Sequence, residues 1–198
     1  MRECKVQKIK KIGCLGMSAN PPHLGHLKIA KEILRKKIID EVWLIPCLFH
    51  PFEKKLIDWK HRWNMVNLMS GGKSRACDIE FKKGGVSYTI DTVLALKNKF
   101  PRHRFFWIVG SDTIKNKEYK KWKDWQDLLK EIEFLAVPRE NFDIKKSDLP
   151  FNFQLVNIKP IKNISSTLIR EKIKKGESLR GLVVTEIEDY IARNQLYR

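Results

Sequence analysis

Short apolar runs alternate along the chain with segments in which apolar residues recur at helical spacing. The apolar runs predict strands over residues 11–17, 41–46, 76–82, 104–109, 132–137 and 153–158. The helical spacing predicts helices over residues 24–37, 59–69, 89–98, 124–130, 166–175 and 185–194. The polar stretch 138–150 is predicted to be a loop.

This alternation of strands and helices, with strands that are nearly continuously apolar, indicates a parallel sheet covered on both faces. We therefore predict the fold class α/β, with a single Rossmann-like, doubly wound parallel sheet. One domain is predicted over 1–198, with a basic N-terminal extension over 1–10 and a C-terminal helical part over 160–198. Ligands of such folds bind beyond the carboxyl ends of the strands, so residues that follow strands are the candidates for a site.

The chain is strongly basic, with 40 Lys and Arg against 23 Asp and Glu among 198 residues, a formal net charge of +17. Such a charge attracts polyanions. The basic residues are spread over the whole sequence, whereas a nucleic-acid-binding module concentrates them beside exposed aromatics. We interpret the charge as a solvated surface and predict no specific nucleic-acid partner.

Nothing in the sequence predicts a membrane or secreted protein. No apolar run approaches the roughly 20 residues of a membrane-spanning helix, and residues 1–11 lack the apolar core of a secretory signal. Cys4, Cys14, Cys47 and Cys77 are too widely spaced for a metal or redox motif and too few for a disulfide framework. We expect a cytoplasmic protein with no membrane partner.

The first candidate site lies where the first predicted strand meets the first predicted helix, in the sequence GMSANPPHLGH over residues 16–26. A helix N-terminus has free N–H groups and a partial positive charge, which suit a phosphate. His23 and His26 are three residues apart and can face the same way, while Gly25 keeps no side chain over the backbone. This pattern predicts a site that holds polyphosphate; a zinc site would need a third ligand.

A second helix start, ISSTLIR over residues 164–170, combines hydroxyl groups at a helix N-cap with Arg170, which can bind phosphate oxygens in a fork. The same pattern is also typical of a well-capped amphipathic helix, and the residues alone leave both interpretations open. Other phosphate motifs are absent. No GxGxxG follows the first strand, and Gly72-Lys73-Ser74 precedes a strand instead of following one.

The ordered pair of HLGH and ISSTLIR resembles the adenylyltransferases of the nucleotidyltransferase α/β superfamily. The middle of the chain is similar to the nicotinate-nucleotide adenylyltransferases within that superfamily. The similar segments are GVSYTIDT over residues 85–92, IVGSD over residues 108–112 and WKDW over residues 122–125. The resemblance extends from residue 11 nearly to the end of the chain.

The resemblance implies transfer of an adenylyl group from ATP to the 5′-phosphate of nicotinate mononucleotide, with Mg²⁺ delivered by ATP, in NAD biosynthesis. It implies catalytic roles for His23, His26 and Arg170. The implied ATP-binding residues are Gly16, Ser18, Gly25, Gly110, Asp112, Ile164, Ser165 and Ser166. The implied substrate-binding residues are Asn20, Lys54, Lys55, Tyr88, Thr89 and Trp122. No metal site of the protein's own is implied, and a homo-oligomer is compatible with the sequence.

Several positions depart from the family's pattern or leave alternatives open. Met17 and Ala19 replace a Gly and a Phe, so we expect a smaller, less aromatic wall near the substrates, and no role is assigned to Arg139. Asp112 could bind ribose hydroxyls or equally be a helix N-cap, and Trp125 is an alternative to Trp122 for the role at the pyridine site. The alternative functions are transfer to nicotinamide mononucleotide or to pantetheine phosphate, a non-catalytic nucleic-acid-binding protein on this fold, and a paralogue that binds nucleotide without turnover.

Overall fold

Six parallel strands form one sheet, in a computed structural model that describes residues 9–52, 54–162 and 164–198. The strands are β1 (Lys11–Met17), β2 (Glu41–Pro46), β3 (Ser74–Ala76), β4 (Arg104–Gly110), β5 (Glu133–Val137) and β6 (Phe153–Leu155). Their order across the sheet is β3-β2-β1-β4-β5-β6. The chain therefore winds outward from β1 in one direction and from β4 in the other, which confirms the predicted doubly wound α/β fold.

Helices connect these strands on both faces of the sheet. They are α1 (Leu24–Arg35), α2 (Trp59–Met69), α3 (Ile79–Lys83), α4 (Thr89–Lys99), α5 (Ser111–Lys115), α6 (Trp125–Glu131), α7 (Ser166–Lys174) and α8 (Thr185–Arg193). Two short 3₁₀ helices cover Glu118–Lys121 and Lys146–Asp148. The second of these lies inside the segment predicted as a loop.

Side chains along each strand alternate between two hydrophobic cores, because successive residues of a strand point to opposite faces. Leu15 and Leu44 pack on one face with residues of α1, α2, α7 and α8. Cys14 and Ile45 pack on the other face with residues of α4 and α6. Both faces are therefore buried, which explains why the strands are continuously apolar in sequence.

The predicted strand over residues 76–82 is wrong. β3 ends at Ala76, and the following residues form helix α3, which begins with Asp78 as its N-cap. Lys82 forms an ion pair with Asp78 at 2.7 Å, one helical turn away, and Gly84 ends the helix with a left-handed φ of 74°. A short apolar run does not by itself distinguish a strand from a helix, and this one is divided between the two.

Smaller differences concern the ends of other elements. β6 stops at Leu155, three residues before the predicted end, and α5 follows β4 directly although no helix was predicted there. Helix α5 begins with Gly110 as its N-cap, so the interpretation of Asp112 as the N-cap is wrong. Asp112 instead lies in the first turn, where a carboxylate is favoured by the helix dipole.

The C-terminal helices pack onto the sheet beside α2. The hydroxyl of Tyr190 in α8 lies 2.9 Å from His61 Nδ1 and accepts a hydrogen bond of 2.9 Å from Asn64 Nδ2, and Ile187 and Ile191 are buried in the core. Cys14, Cys47 and Cys77 are free, whereas Cys4 and most of the predicted N-terminal extension lie outside the described residues. None of the described helices has the length and apolarity to cross a membrane.

Candidate active site

A cleft of about 840 Å³ opens beside the carboxyl ends of β1 and β4, where the direction of winding reverses. Eight of the residues predicted for the site line it: Gly16, Ser18, His26, Lys54, Tyr88, Thr89, Asp112 and Trp122. The other predicted residues do not line it: His23, Arg170, Gly25, Gly110, Ile164, Ser165, Ser166, Asn20 and Lys55. Most of this second group lies around the cleft and stabilises the segments that form its walls.

The two histidines form a close pair of tilted rings at the start of α1. His23 is the N-cap, and its ring lies 3.8 Å from the ring of His26, centroid to centroid. The backbone N–H of His23 donates to His26 Nδ1 at 3.2 Å, so Nδ1 carries no proton and Nε2 is the nitrogen left to donate to a ligand in the cleft. The loop thus fixes both the orientation and the tautomer of His26.

The spacing of the histidine motif has a steric reason at Gly25. A Cβ atom at this position would lie 2.9 Å from His23 Nδ1 and 3.0 Å from its Cε1. The glycine therefore makes room for the buried ring of His23, whereas the sequence suggested only that it lets a ligand approach the backbone. His23 Nδ1 is buried and has no hydrogen-bond partner among the described residues.

Both histidines are held in the neutral form. Burial, and then the charges of His26 and Arg139, lower the pKa of His23 to about 2. Burial and the charge of Arg139 lower the pKa of His26 to about 4, against a partial rise from the hydrogen bond with the His23 backbone. At neutral pH the pair therefore presents hydrogen-bond donors and no net charge, until a negative ligand compensates for the burial.

These pKa values predict a loss of stability in acid. In the unfolded chain both histidines take up protons below a pKa of about 6.5, whereas the folded protein resists protonation, so the free energy of unfolding falls as the pH drops from about 6.5 towards 4. Each histidine is expected to contribute roughly 1 kcal/mol of this loss between pH 7 and pH 5.5. Urea unfolding at several pH values measures it.

The control is the double variant His23→Gln/His26→Gln, which should lose much of this dependence on pH. The variant His61→Gln, which removes a histidine that does not line the cleft, is the comparison for the loss of a histidine elsewhere in the fold. Equal slopes for the unchanged protein and the double variant between pH 7 and pH 5.5 would contradict the assignment.

Helix α7 supports the histidine loop from behind. The Ser166 hydroxyl donates to the carbonyl of Pro21 at 2.8 Å, and Arg170 Nη1 donates to the carbonyl of Asn20 at 2.8 Å. Ser165 caps the helix by accepting from Leu168 N–H at 3.1 Å. The structure shows the capped helix of the ISSTLIR motif, and this helix also holds the loop that carries the histidines. Phosphate binding by the motif stays a prediction.

Asn20 connects this loop to the segment that follows β2. Its side-chain amide donates to the carbonyl of Lys55 at 3.4 Å and accepts from Ile57 N–H at 3.3 Å. Asn20 is 4% exposed, and Lys55 contributes its backbone while its side chain is exposed outside the cleft. Of the two predicted lysines only Lys54 lines the cleft.

Aromatic residues line the end of the cleft where α4 begins. Tyr88 is the N-cap of α4 and Thr89 is its first residue, so both lie beside the free N–H groups of that helix. Trp122 lines the same space, whereas Trp125 packs against Tyr119 at 4.6 Å within the core. Of the two tryptophans, Trp122 lines the cleft and Trp125 does not, and the role of Trp122 at a pyridine ring stays a prediction.

A buried carboxyl group that the sequence analysis missed supports this end. Glu80 is 4% exposed, lines the cleft and accepts a hydrogen bond from the Thr92 hydroxyl at 2.9 Å. Burial raises its pKa, although the Ser87 and Thr92 hydroxyls act in the opposite direction. Ser87 in turn accepts from Leu48 N–H at 2.8 Å, so the group ties α3 and α4 to the end of β2.

Arg139 is a second residue that the sequence analysis left without a role. It lies two residues after the end of β5, its backbone N–H donates to the Ser111 hydroxyl at 2.9 Å, and its charge lowers the pKa of both histidines. Its position close after the end of a strand was the available signal. A Cβ at Gly110 would lie 3.3 Å from Arg139 Cγ and 2.1 Å from Asp112 Oδ1, so this glycine admits both side chains.

The two departures from the family's pattern lie in different places. Met17 lines the cleft, whereas Ala19 is 1% exposed and packs in the core, and the expected effect of Ala19 on the wall of the cleft stays a prediction. Ala19 also has a left-handed φ of 52°, which residues other than glycine rarely adopt. The loop carries this local strain while its contacts to α2 and α7 hold it in place.

No group of three or more His, Cys, Asp or Glu residues that could hold a metal ion occurs within residues 9–52, 54–162 and 164–198. The carboxylates that line the cleft are separate: Asp112 belongs to α5, Glu118 to a 3₁₀ helix, and Glu80 is engaged with Thr92.

Comparison with known proteins identifies the family. A model of the cytidylyltransferase-like family matches residues 15–172. A nicotinate-nucleotide adenylyltransferase from Bacillus subtilis is 34% identical over 194 residues, which cover 96% of this chain and 99% of that protein. A probable nicotinate-nucleotide adenylyltransferase from Bacillus licheniformis is 36% identical over 194 residues, with the same coverage. The chain belongs to the nicotinate-nucleotide adenylyltransferases.

A solved structure agrees with this family. The chain resembles Plasmodium falciparum nicotinic acid mononucleotide adenylyltransferase complexed with NaAD with a TM-score of 0.80 and 25% identity, covering 95% of this chain and 97% of the other. As a member of the nicotinate-nucleotide adenylyltransferases, the chain is a nucleotidyltransferase.

Proposed function

We propose that this protein transfers the adenylyl group of ATP to the 5′-phosphate of nicotinate mononucleotide, giving nicotinate adenine dinucleotide and pyrophosphate. The observation that supports this most strongly is the geometry of His26. Its Nδ1 is held by the backbone of His23, and its ring lines the cleft at the N-terminus of α1. A fixed donor beside a helix N-terminus suits phosphate oxygens whose charge increases during the reaction.

The transfer is a direct displacement at phosphorus. An oxygen of the mononucleotide phosphate forms a bond to the α-phosphorus of ATP while the bond to the bridging oxygen breaks and pyrophosphate leaves. The protein's contribution is alignment and stabilisation of the charge that spreads over the phosphate oxygens. His26 would donate to these oxygens, and Arg139 would contribute the positive charge that already lowers the pKa of both histidines.

The walls of the cleft would divide the two nucleotides. Of the residues that line it, Ser18, Lys54 and Asp112 would contact the phosphates and ribose, and Tyr88, Thr89 and Trp122 would take the pyridine ring. His23, Ser166 and Arg170 would act mainly by holding the loop, since Ser166 and Arg170 donate to its carbonyls. Direct contact of Arg170 with phosphate stays a prediction.

Mg²⁺ would enter with ATP as part of the substrate. The separate carboxylates of the cleft fit an ion that keeps most of its water and phosphate ligands, because Mg²⁺ in such sites is bound by one or two carboxylates at most. Asp112 is the carboxylate nearest the strand end. The ion supplies neutralisation of phosphate charge.

The test is pyrophosphate release from ATP and Mg²⁺ with three acceptors compared side by side: nicotinate mononucleotide, nicotinamide mononucleotide and 4′-phosphopantetheine. We expect the highest kcat/KM with nicotinate mononucleotide. A preference for another acceptor would contradict the assignment of the pyridine side, and no release with any acceptor from folded protein would contradict the proposed activity itself.

A further inference from the structure

Lys123 places a positive charge over the aromatic end of the cleft. Its Nζ lies 5.0 Å from the centroid of the Tyr88 ring, and the residue lines the same space as Tyr88, Thr89 and Trp122. Its side chain is 42% exposed, so the ammonium group stays accessible from the cleft. The contact joins the segment before α6 to the start of α4 across the cleft.

The same ammonium group is paired with a carboxylate of the protein. Lys123 Nζ lies 3.2 Å from Asp91 Oδ1 and 3.4 Å from its Oδ2, and Asp91 is in the first turn of α4. The pair is partly exposed on both sides, with Asp91 at 32%. Exposed pairs of this kind contribute little to stability, so a ligand carboxylate can replace Asp91 at small cost.

Nicotinate mononucleotide and nicotinamide mononucleotide differ at the substituent of the pyridine ring, where the acid carries one negative charge more than the amide. If Tyr88 or Trp122 stacks on the pyridine ring, the substituent of the ring lies within reach of Lys123. A cation there favours a carboxylate over a neutral amide, and Asp91 keeps the cation in place before the substrate binds. The N-terminus of α4 acts in the same direction, because its N–H groups also favour an anion.

We propose that Lys123 is a specificity-determining residue that selects the nicotinate carboxylate over the nicotinamide amide, with Asp91 as the carboxylate it leaves when substrate binds. This inference rests on the proposed function. Three lysines line the cleft: Lys54, Lys121 and Lys123. Among the residues that the structure describes, only Lys123 has its ammonium group over the Tyr88 ring, which is why the assignment falls on it.

The test is the ratio of kcat/KM for nicotinate mononucleotide to that for nicotinamide mononucleotide. In Lys123→Met we expect this ratio to fall about tenfold, because a charge-assisted contact with the carboxylate is lost. The fall should come from a lower kcat/KM for nicotinate mononucleotide, with the value for nicotinamide mononucleotide unchanged. In Asp91→Asn we expect the ratio to rise by about threefold, since the ammonium group is no longer shared. Lys123→Arg should keep most of the ratio, which separates a charge effect from a folding defect.

Lys120→Met is the matched control, because Lys120 is exposed nearby but does not line the cleft, and its ratio should equal that of the unchanged protein. An unchanged ratio in Lys123→Met would overturn the proposal, as would an equal fall in Lys120→Met. If the wild-type protein transfers the adenylyl group to neither mononucleotide, the proposed function has failed. If it does transfer the group but the ratio does not depend on Lys123, only this inference has failed.

Discussion

Replacing His26 by alanine is expected to lower kcat/KM for adenylyl transfer by about a hundredfold or more. The ring has its Nδ1 held by the His23 backbone, so Nε2 is aligned before any substrate arrives. Donors that are aligned in advance act most strongly where charge develops in the transition state, and the effect should therefore appear mainly in kcat. Steady-state kinetics with ATP and nicotinate mononucleotide measure it.

The matched control is Lys28→Ala, an exposed position on the same helix that does not line the cleft and should keep normal kinetics. Circular dichroism and the melting temperature establish that both variants are folded. A folded His26→Ala protein with nearly unchanged turnover would remove His26 from the reaction and leave the stabilisation to Arg139 and the helix N-terminus.

Replacing Arg62 by methionine is expected to lower the free energy of unfolding by about 3 kcal/mol. Arg62 is 1% exposed and donates to the carbonyls of Ser18 at 3.1 Å, Leu48 at 2.8 Å and Ile57 at 3.1 Å, and also to that of Cys47. Methionine fills a similar volume but leaves these buried carbonyls unsatisfied. Burial lowers the pKa of Arg62, which means that burying the charged guanidinium group is unfavourable. Removing that charge offsets only part of the stability lost with the hydrogen bonds.

Urea unfolding at pH 7 measures this change, with Lys60→Met as the control on the same helix, where the side chain is exposed. The carbonyls that Arg62 holds lie in the two segments that follow β1 and β2, so activity should fall with stability. A loss of less than about 1 kcal/mol would mean that water replaces the guanidinium group at these carbonyls.

Much of the fold followed from local pattern. The bounds of β1, β2 and α2 agree with the prediction, because long apolar runs and strong helical spacing leave a single interpretation. The short segments after β3 and β4 were predicted poorly. There the apolar residues are too few to define a period, and the structure of α3 and α5 depends on packing against the sheet and on caps at Asp78 and Gly110.

The sequence predicted which types of residue form the candidate site, but only part of their arrangement in space. His26, Tyr88 and Trp122 line the cleft as expected, since each follows or caps an element at the carboxyl edge of the sheet. Arg170 donates to the Asn20 carbonyl, and its expected contact with phosphate stays a prediction. Glu80 was missed because its burial depends on how α3 packs against α4, which the local pattern does not specify.

By itself the sequence determined the α/β class, the two phosphate-type motifs and the resemblance to one family, because these depend on residue types at short spacing. The tertiary structure decided which of those residues face the cleft and which support it. It brought Arg139 to the histidines, Lys123 to Tyr88 and Arg62 to the loop carbonyls. Such contacts join distant segments, and no local pattern specifies the distance between two side chains that meet only when the sheet forms.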